Sequence, residues 1–314
     1  MEPFALSRIL YCLLFFCPGF IKPVHAQKPS DMQDVYRYDI LKTDKPIAVD
    51  GVLSENAWAE APVASGFWMS YPVDDRRVEE SLQTEVMLLY DEHHLYLGIV
   101  CHGDDEYLIQ TLKRDADFWT SDAFGVVLDP VNERTNGFVF GVTAAGVQTE
   151  YLVTGESDRR KDLETGEHPR GGNIAWDNKW FSSVTIQPGK WIIEMAIPFK
   201  ILWFDESRRN WGINFFRRDA GTNSIHTWTP VPIEFWETNL GYTGSLDWKE
   251  APEKATRHFS VIPYILGGAY DDLQETGGTE FDLQGGLDAK LPVTSSLGLD
   301  LTLHPDFSQV EVDE

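Results

Sequence analysis

Trp119 and Asp122 carry the clearest chemical signal in the sequence, because an indole and a carboxylate lie just ahead of a predicted strand. The C–H face of a sugar ring stacks on an indole, and sugar hydroxyl groups need acceptors such as carboxylates. A tryptophan before a strand is also a common packing residue, so this alternative stays open. The pair therefore indicates either a sugar contact at the rim of a sheet or one end of the core.

The residues that follow this pair predict a β-hairpin with one buried face. A turn signal at Asn136-Gly137 separates two segments in which apolar residues recur at every second position. These residues are Phe124, Val126 and Leu128 before the turn, and Phe138, Phe140 and Val142 after it. We expect Trp119 and Asp122 to lie at the rim of this hairpin.

Acidic loops offer hard oxygen ligands of the kind that calcium prefers. Asp104 and Asp105 follow Cys101, and Asp129 ends the first strand of the predicted hairpin. In a chain with 50 acidic residues, solvated acidic loops are the alternative. We find no ligand spacing typical of zinc sites.

The composition excludes some functions. A net charge of −24 disfavours nucleic acids and anionic membrane surfaces, and leaves neutral ligands or cations. The sequence has no G-x-S-x-G, no H-E-x-x-H and no glycine-rich phosphate loop in a strand-to-helix context. A glycoside hydrolase needs two carboxyl groups about 5 to 10 Å apart, and abundant acids make any such pair uninformative. Catalysis by this chain therefore stays open, with less support in the sequence than binding.

Residues 1–26 have the features of a secretory signal peptide. Arg8 precedes an apolar run over residues 9–20, and Ala26 ends a small-residue cleavage site. An uncleaved anchor and lipidation of Cys17 are the alternatives. Cleavage would leave Cys101 as the single cysteine, which excludes an internal disulfide.

Beyond the central hairpin the pattern predicts an all-β chain. Residues 84–100 read as a second hairpin, and Trp58 lies in a short helical turn where it is expected to anchor the core. Further strands are predicted at residues 181–186, 191–197 and 211–216, and a long surface loop spans residues 155–175.

From about residue 257 apolar and polar residues alternate strictly. This pattern fits strands of an outer-membrane barrel, although a two-sided soluble strand would look the same. About three such strands fit before residue 314, whereas a membrane barrel needs at least eight.

Five motifs in register resemble the family 9 carbohydrate-binding modules. They are D-G-V-L-S-E-N-A-W (residues 50–58), L-L-Y-D-E-H-H-L-Y-L-G (88–98), W-T-S-D-A-F-G-V-V-L-D-P (119–130), W-I-I-E-M-A-I-P-F (191–199) and W-G-I-N-F-F-R (211–217). The residues that follow, ending in H-P-D-F-S-Q-V-E (304–311), resemble the start of an uncharacterised outer-membrane β-barrel domain found in Gram-negative bacteria.

This resemblance implies a DOMON-like β-sandwich of the jelly-roll or immunoglobulin-like type at residues 40–250, associated with structural calcium. A flexible N-terminus at residues 27–39 would precede it, and the first antiparallel strands of a truncated barrel would follow at residues 257–314. The chain would be exported to the periplasm, cell surface or outer membrane, and its C-terminal segment would contact the outer membrane.

Sugar-binding members of the family hold the sugar between two tryptophans. By the resemblance, Trp119 corresponds to the first aromatic plate, Asp122 to the acid and Asn214 to the amide, and Trp228 is the candidate second plate. The strand after the central turn is apolar where those members have a basic residue, and Arg217 is our candidate to replace it.

Three functions remain open from the sequence. The first is non-catalytic binding of an oligosaccharide or polysaccharide, associated with polysaccharide degradation. The second is a structural or transport role beside an outer-membrane barrel without sugar binding. The third is hydrolysis of O-glycosyl bonds, assigned through association with a separate catalytic domain.

Overall fold

A computed structural model describes residues 32–103, 106–115, 120–155, 172–173, 176–253, 260–270, 280–292 and 298–303. Its regular structure is almost entirely β, with one short helix, α1 (Met32–Val35), and several single 3-10 turns. No helix in these ranges is long and apolar enough to cross a membrane.

The strands up to residue 253 are β1 (Arg37–Lys42), β2 (Val63–Ala64), β3 (Trp68–Tyr71), β4 (Thr84–Tyr90), β5 (His94–His102), β6 (Ala123–Asp129), β7 (Asn136–Thr143), β8 (Gln148–Thr154), β9 (Gly172–Asn173), β10 (Phe181–Gln187), β11 (Lys190–Pro198), β12 (Asn210–Asp219), β13 (Ser224–Thr227) and β14 (Gly244–Trp248). They are followed by β15 (Ser260–Tyr270), β16 (Glu280–Pro292) and β17 (Gly298–Leu303).

Strands β1 to β14 form two layers that share β1. One layer has the order β10-β11-β5-β4-β1, with β2 paired to β4. The other has the order β1-β14-β12-β6-β7-β8-β9, with β13 paired to β12 and to β3. Strand β1 runs parallel to β14 over Arg37–Ile40 and parallel to β4 at Leu41 and Lys42. This architecture confirms the predicted β-sandwich.

The main core lies between the two layers. It combines Leu88, Leu97 and Ile193 from one layer with Phe124 and Phe215 from the other, all of them inaccessible to solvent. Packing of alternate side chains between two inner faces is the usual way in which a sandwich buries apolar surface. The alternation of apolar residues in the sequence therefore predicts correctly which side chains lie between the two layers.

Both predicted hairpins are confirmed, but the turn of the first one lies before Asn136, because Asn136 and Gly137 already belong to β7. Val126 pairs with Phe140 across β6 and β7, and Leu88 pairs with Leu97 across β4 and β5. The expectation of one buried face on β6 and β7 is wrong, because their outer face is buried as well. There Val127 and Val139 belong to a second apolar cluster that includes Leu240.

Glu194 of β11 binds the segment of residues 50–58 through hydrogen bonds. Its Oε2 accepts hydrogen bonds from the backbone N–H groups of Asp50, at 2.9 Å, and Gly51, at 2.8 Å. Its Oε1 accepts a hydrogen bond from the indole Nε1 of Trp58 at 3.1 Å. Trp58 is buried, as predicted, and burial raises the pKa of Glu194 above its ordinary value. The carboxylate thus orders a loop that has little regular structure of its own.

Strands β15 to β17 form a separate antiparallel sheet. Val261 pairs with Ala289, and Leu287 pairs with Leu303. Several apolar side chains of this sheet are exposed, among them Ile265, which is 79% exposed. The three strands predicted after residue 257 are confirmed as strands.

Replacing Glu194 by Ala is expected to lower the free energy of unfolding by about 3 kcal/mol, since three donors would lose one buried acceptor. The free energy of unfolding of Glu194→Gln should lie between those of Glu194→Ala and the parent chain, because one carbonyl oxygen replaces two carboxylate oxygens as acceptor. Urea unfolding measures both variants.

Glu85→Ala provides the matched control. Glu85 also lies on a strand, but about half of its side chain is exposed, so we expect a change of about 0.5 kcal/mol or less. An equal loss of unfolding free energy in Glu85→Ala and Glu194→Ala would contradict the stabilising role of the Glu194 hydrogen bonds.

Candidate functional site

Asp122 lies just before β6, and its carboxylate ties two distant segments together. It accepts hydrogen bonds from the backbone N–H of Leu108 at 2.7 Å and of Ala220 at 3.1 Å. Contrary to the expected rim position, the side chain is buried, and this burial raises its pKa. Trp119 lies outside the described residues, so its role as a sugar plate stays a prediction.

Arg217 is buried on β12 and interacts with Asp122. Its guanidinium donates hydrogen bonds to the carbonyl oxygens of Leu82, at 3.1 Å, and His102, at 2.6 Å, and lies 3.4 Å from the carboxylate of Asp219. The charge of Arg217 lowers the pKa of Asp122, opposing the effect of burial. The structure therefore brings these two predicted site residues into one polar cluster.

Asp219 and His226 complete this polar cluster. Burial alone would raise the pKa of Asp219, but hydrogen bonds from Thr222 and the charge of Arg217 lower it overall. His226 is fully buried, and burial together with Arg217 lowers its pKa to about 3. His226 is therefore neutral in the folded chain at ordinary pH, and its Nε2 lies 2.7 Å from the Oγ of Ser224.

Asn214 does not join this cluster. Successive residues of a strand point to opposite faces, so Asn214 and Arg217, three positions apart on β12, face opposite sides of the layer. The Oδ1 of Asn214 accepts a hydrogen bond from the backbone N–H of Thr229 at 3.0 Å, and the side chain is buried. Its contact with a sugar stays a prediction.

Trp228 lies in the main core. Its ring packs edge-on against Tyr36, with 5.6 Å between the ring centroids, and at a tilt of 47° against Phe215, with 5.4 Å between the centroids. Only 5% of its surface is exposed. The assignment of Trp228 as the second plate therefore stays a prediction, and in this structure the ring fills the sandwich.

Asp129 holds the turn between β6 and β7. Its two oxygens accept hydrogen bonds from the backbone N–H groups of Asn132, at 2.8 Å, and Arg134, at 2.7 Å. These hydrogen bonds give the carboxylate a structural role in the turn, and its part in a calcium site stays a prediction. Asp104 and Asp105 lie outside the described residues, and within the described ranges no three His, Cys, Asp or Glu side chains are grouped to hold a metal.

Cys101 is buried on β5 next to the polar cluster. Burial raises the pKa of its thiol to about 11, although the charge of Arg217 opposes this effect. A neutral, inaccessible thiol is a poor nucleophile and a poor metal ligand. In this structure Cys101 is therefore a residue of the core.

A cleft of about 1110 Å³ opens at the tip of the β4–β5 hairpin. Tyr90, His93 and Phe181 contribute rings to its wall. Its charged lining has both signs and includes Lys42, Lys200, Arg209, Asp91, Glu92 and Glu250. The mixed charge favours no single class of ligand.

An exposed aromatic surface is the feature that the sequence did not indicate. Trp203 is 62% exposed, and Trp176 is partly buried. Both rings pack on Phe138 of β7, with centroids 6.0 Å and 5.2 Å from it. Trp203 lies among Leu202 and Phe204, which are buried, so the sequence alone offered no means to separate it from core residues.

The burial of His226 predicts a pH dependence of stability. Because the folded chain keeps His226 neutral while the unfolded chain binds a proton near pH 6.5, stability is lost as the pH falls. When the pH falls from about 7.5 to about 5.5, this residue should lower the free energy of unfolding by about 1.4 kcal/mol.

Urea unfolding of the parent chain and of His226→Gln at both pH values isolates this effect. All other titrating groups are common to both proteins, so the parent should lose about 1.4 kcal/mol more than the variant. Equal losses in the two proteins would contradict a neutral buried His226.

Comparisons with known proteins identify the family. A family model described as "Carbohydrate family 9 binding domain-like" matches residues 49–238, and one described as "Domain of unknown function (DUF5916)" matches residues 255–314. No curated protein matches the sequence.

Solved structures resemble the sandwich at low sequence identity. A putative carbohydrate-binding protein from Bacteroides uniformis ATCC 8492 is 11% identical, with a TM-score of 0.50 over 68% of this chain and 98% of that one. A family 9 carbohydrate-binding module from Caldicellulosiruptor kristjanssonii, solved with cellotriose, is 13% identical, with a TM-score of 0.47 over 70% of this chain and 97% of that one. At 11% identity the likeness to the Bacteroides protein concerns the fold alone. Since the first family model spans more than half of the sequence, the chain belongs to the carbohydrate family 9 binding domain-like family.

Proposed function

We propose that the chain is a non-catalytic glycan-binding protein whose sandwich binds an oligosaccharide or a polysaccharide. The observation that carries this proposal is the family match across residues 49–238, which covers most of the sandwich. Solved family 9 modules in complex with cellotriose and with glucose make neutral sugars the natural ligands to test first. A neutral ligand is also compatible with a net charge of −24.

In this proposal Trp119 is the residue that contacts the sugar ring. Asp122, three positions later, is tied to Leu108 and Ala220, and Arg217 is tied to the backbone at Leu82 and His102. A platform fixed in this way lowers the entropy cost of holding an aromatic ring in place for a ligand. Asp122 and Arg217 thereby fix the backbone of the segments that they contact.

Direct contacts from the buried residues require a further change. Asp122, Asn214 and Arg217 would reach sugar hydroxyls, and Trp228 would serve as a second plate, only if ligand binding exposed these side chains. Structural calcium is proposed at Asp104, Asp105 and Asp129. A fall in Tm on adding a chelator to the intact chain would support a bound calcium ion.

Hydrolysis has weaker support than binding. A hydrolase needs two accessible carboxyl groups with one pKa raised. Burial raises the pKa of Asp122, Asp129 and Glu194, but backbone amide groups occupy these carboxylates. Any link to polysaccharide degradation is therefore proposed to run through a separate catalytic domain.

Trp119→Ala should weaken binding of the glycan by about tenfold or more, because a stacked ring contributes both buried area and a specific aromatic contact. Calorimetry of the intact chain with cellotriose, xylotriose, mannotriose and maltotriose, in calcium buffer, measures this. Phe181→Ala is the control, since Phe181 is 45% exposed on β10 and lies outside the proposed site.

Two results would contradict the proposal. One is a folded parent chain that binds none of these sugars or their polymers. The other is a Trp119→Ala variant that binds as tightly as Phe181→Ala and the parent, which would remove Trp119 from the site.

A second proposal concerns location, and it is favoured by the exposed apolar side chains of β15 to β17, such as Ile265 and Leu303. We propose that residues 1–26 direct export in a Gram-negative bacterium and that these strands associate with the outer membrane, in line with their alternating pattern. Such an association also fits a structural or transport role.

Expression of the chain in a Gram-negative host, followed by fractionation, tests this location. The chain should lose its first 26 residues, as read by N-terminal sequencing, and sediment with outer membranes. Recovery of the uncleaved chain in the cytoplasmic fraction would contradict the proposal.

A further inference from the structure

Trp203 is exposed to a degree that needs an explanation. It follows the 3-10 turn Phe199–Ile201, and its chain neighbours Leu202 and Phe204 are buried in the main core. The indole of Trp203 nevertheless leaves 62% of its surface in solvent. Exposed apolar patches that are bordered by polar residues are typical of interaction or ligand-binding surfaces.

The ring of Phe138 holds Trp203 and Trp176 in place. Phe138 is buried on β7, between Leu128 of β6 and Leu152 of β8. Trp203 meets Phe138 at an interplanar angle of 74° and Trp176 meets it at 55°. Both indoles therefore rest on one rigid side chain, which limits the conformational entropy that a ligand would have to remove.

Exposed polar groups accompany these rings. Arg208 lies 3.1 Å from Glu133, and their side chains are 38% and 55% exposed. This ion pair joins the turn before β7 to the loop after Phe199–Ile201, and the Phe138–Trp203 contact joins β7 itself to the same loop. A guanidinium has five donors and a carboxylate about four acceptor positions, so both keep free capacity for hydroxyl groups.

This surface is separate from the end of the β6–β7 hairpin at which Asp122 lies. Phe138 pairs with Leu128 at one end of the β6–β7 hairpin, whereas Thr143 pairs with Ala123, next to Asp122, at the other end. Five residues of strand correspond to about 17 Å. A short oligosaccharide at one end therefore does not reach the other, but a long glycan can engage both.

We propose that Trp203 and Trp176 form a second glycan-binding surface, which stacks pyranose rings of a linear glycan while Arg208 and Glu133 contact their hydroxyl groups. This proposal rests on the proposed function and adds a site to it. Two linked contacts on one polymer raise the overall affinity, because the second contact forms at a high effective concentration. The chain should therefore prefer long glycans to short ones.

Two variants of Trp203 in the intact chain test the proposal. Trp203→Leu keeps an apolar contact with Phe138 and removes the ring, while Trp203→Phe keeps a smaller ring. For the polymer that the parent chain binds, among cellulose, xylan, mannan and amylose, Trp203→Leu should weaken binding about tenfold and Trp203→Phe less than about threefold. Equal Tm values of the two variants would show that their folds are equally stable.

The possible outcomes separate this inference from the proposed function. A parent chain that binds none of the glycans overturns both. A parent chain that binds glycan, with Trp203→Leu and Phe181→Ala equal to it on every polymer, overturns the second surface alone. Weaker binding by Trp203→Leu that Trp203→Phe largely restores supports it, whatever the effect of Trp119→Ala.

Discussion

The sandwich depends on a single strand that belongs to both of its layers. The first four residues of β1 pair with β14 and the last two with β4, so the two layers cannot separate without breaking β1. Its side chains lock the same junction, since Tyr38 and Ile40 are buried in the main core. The Tyr38 hydroxyl also accepts a hydrogen bond from the backbone N–H of Leu88 at 2.7 Å. Because the inner faces are then held in register, the rest of the apolar pattern can be buried.

Within the sandwich, the buried carboxylates mainly hold the backbone of loops in position. Asp122, Asp129 and Glu194 are each buried, and each accepts hydrogen bonds from two backbone N–H groups in segments with little regular structure. A buried carboxylate is costly unless such donors satisfy it. These side chains are therefore best understood as supports for the loops at the edges of the layers.

The sequence predicts a strand well where a pattern of neighbouring residues is enough to identify it. Alternation in β4 to β7 and in β10 to β12 reflects the two-residue period of a strand, which any short segment displays. It does not predict the second buried face of β6, because the covering residue Leu240 lies more than a hundred positions away. In the same way, the burial of Asp122 depends on Ala220, which is 98 positions distant.

Candidate ligand contacts are harder to predict than strands for the same physical reason. Motif resemblance selects Trp228 by position, but its exposure depends on packing against Tyr36 and Phe215. Trp203 looks like a core residue because its neighbours in sequence are core residues, yet its ring points outward. Exposure depends on how the layers assemble. The sequence favours Trp228 as the exposed ring and Trp203 as a core residue, whereas in the structure Trp228 is buried and Trp203 is exposed.

The burial of Cys101 bears on how the chain would survive export. An accessible unpaired thiol in an oxidising compartment is open to coupling with another chain or to conversion to sulfenic and higher acids. The thiolate is the reactive species in both processes, and Cys101 is neither exposed nor readily ionised. A protein built in this way can carry one cysteine outside the cytoplasm without covalent pairing, and it needs neither a partner cysteine nor a reducing system to keep that residue unchanged.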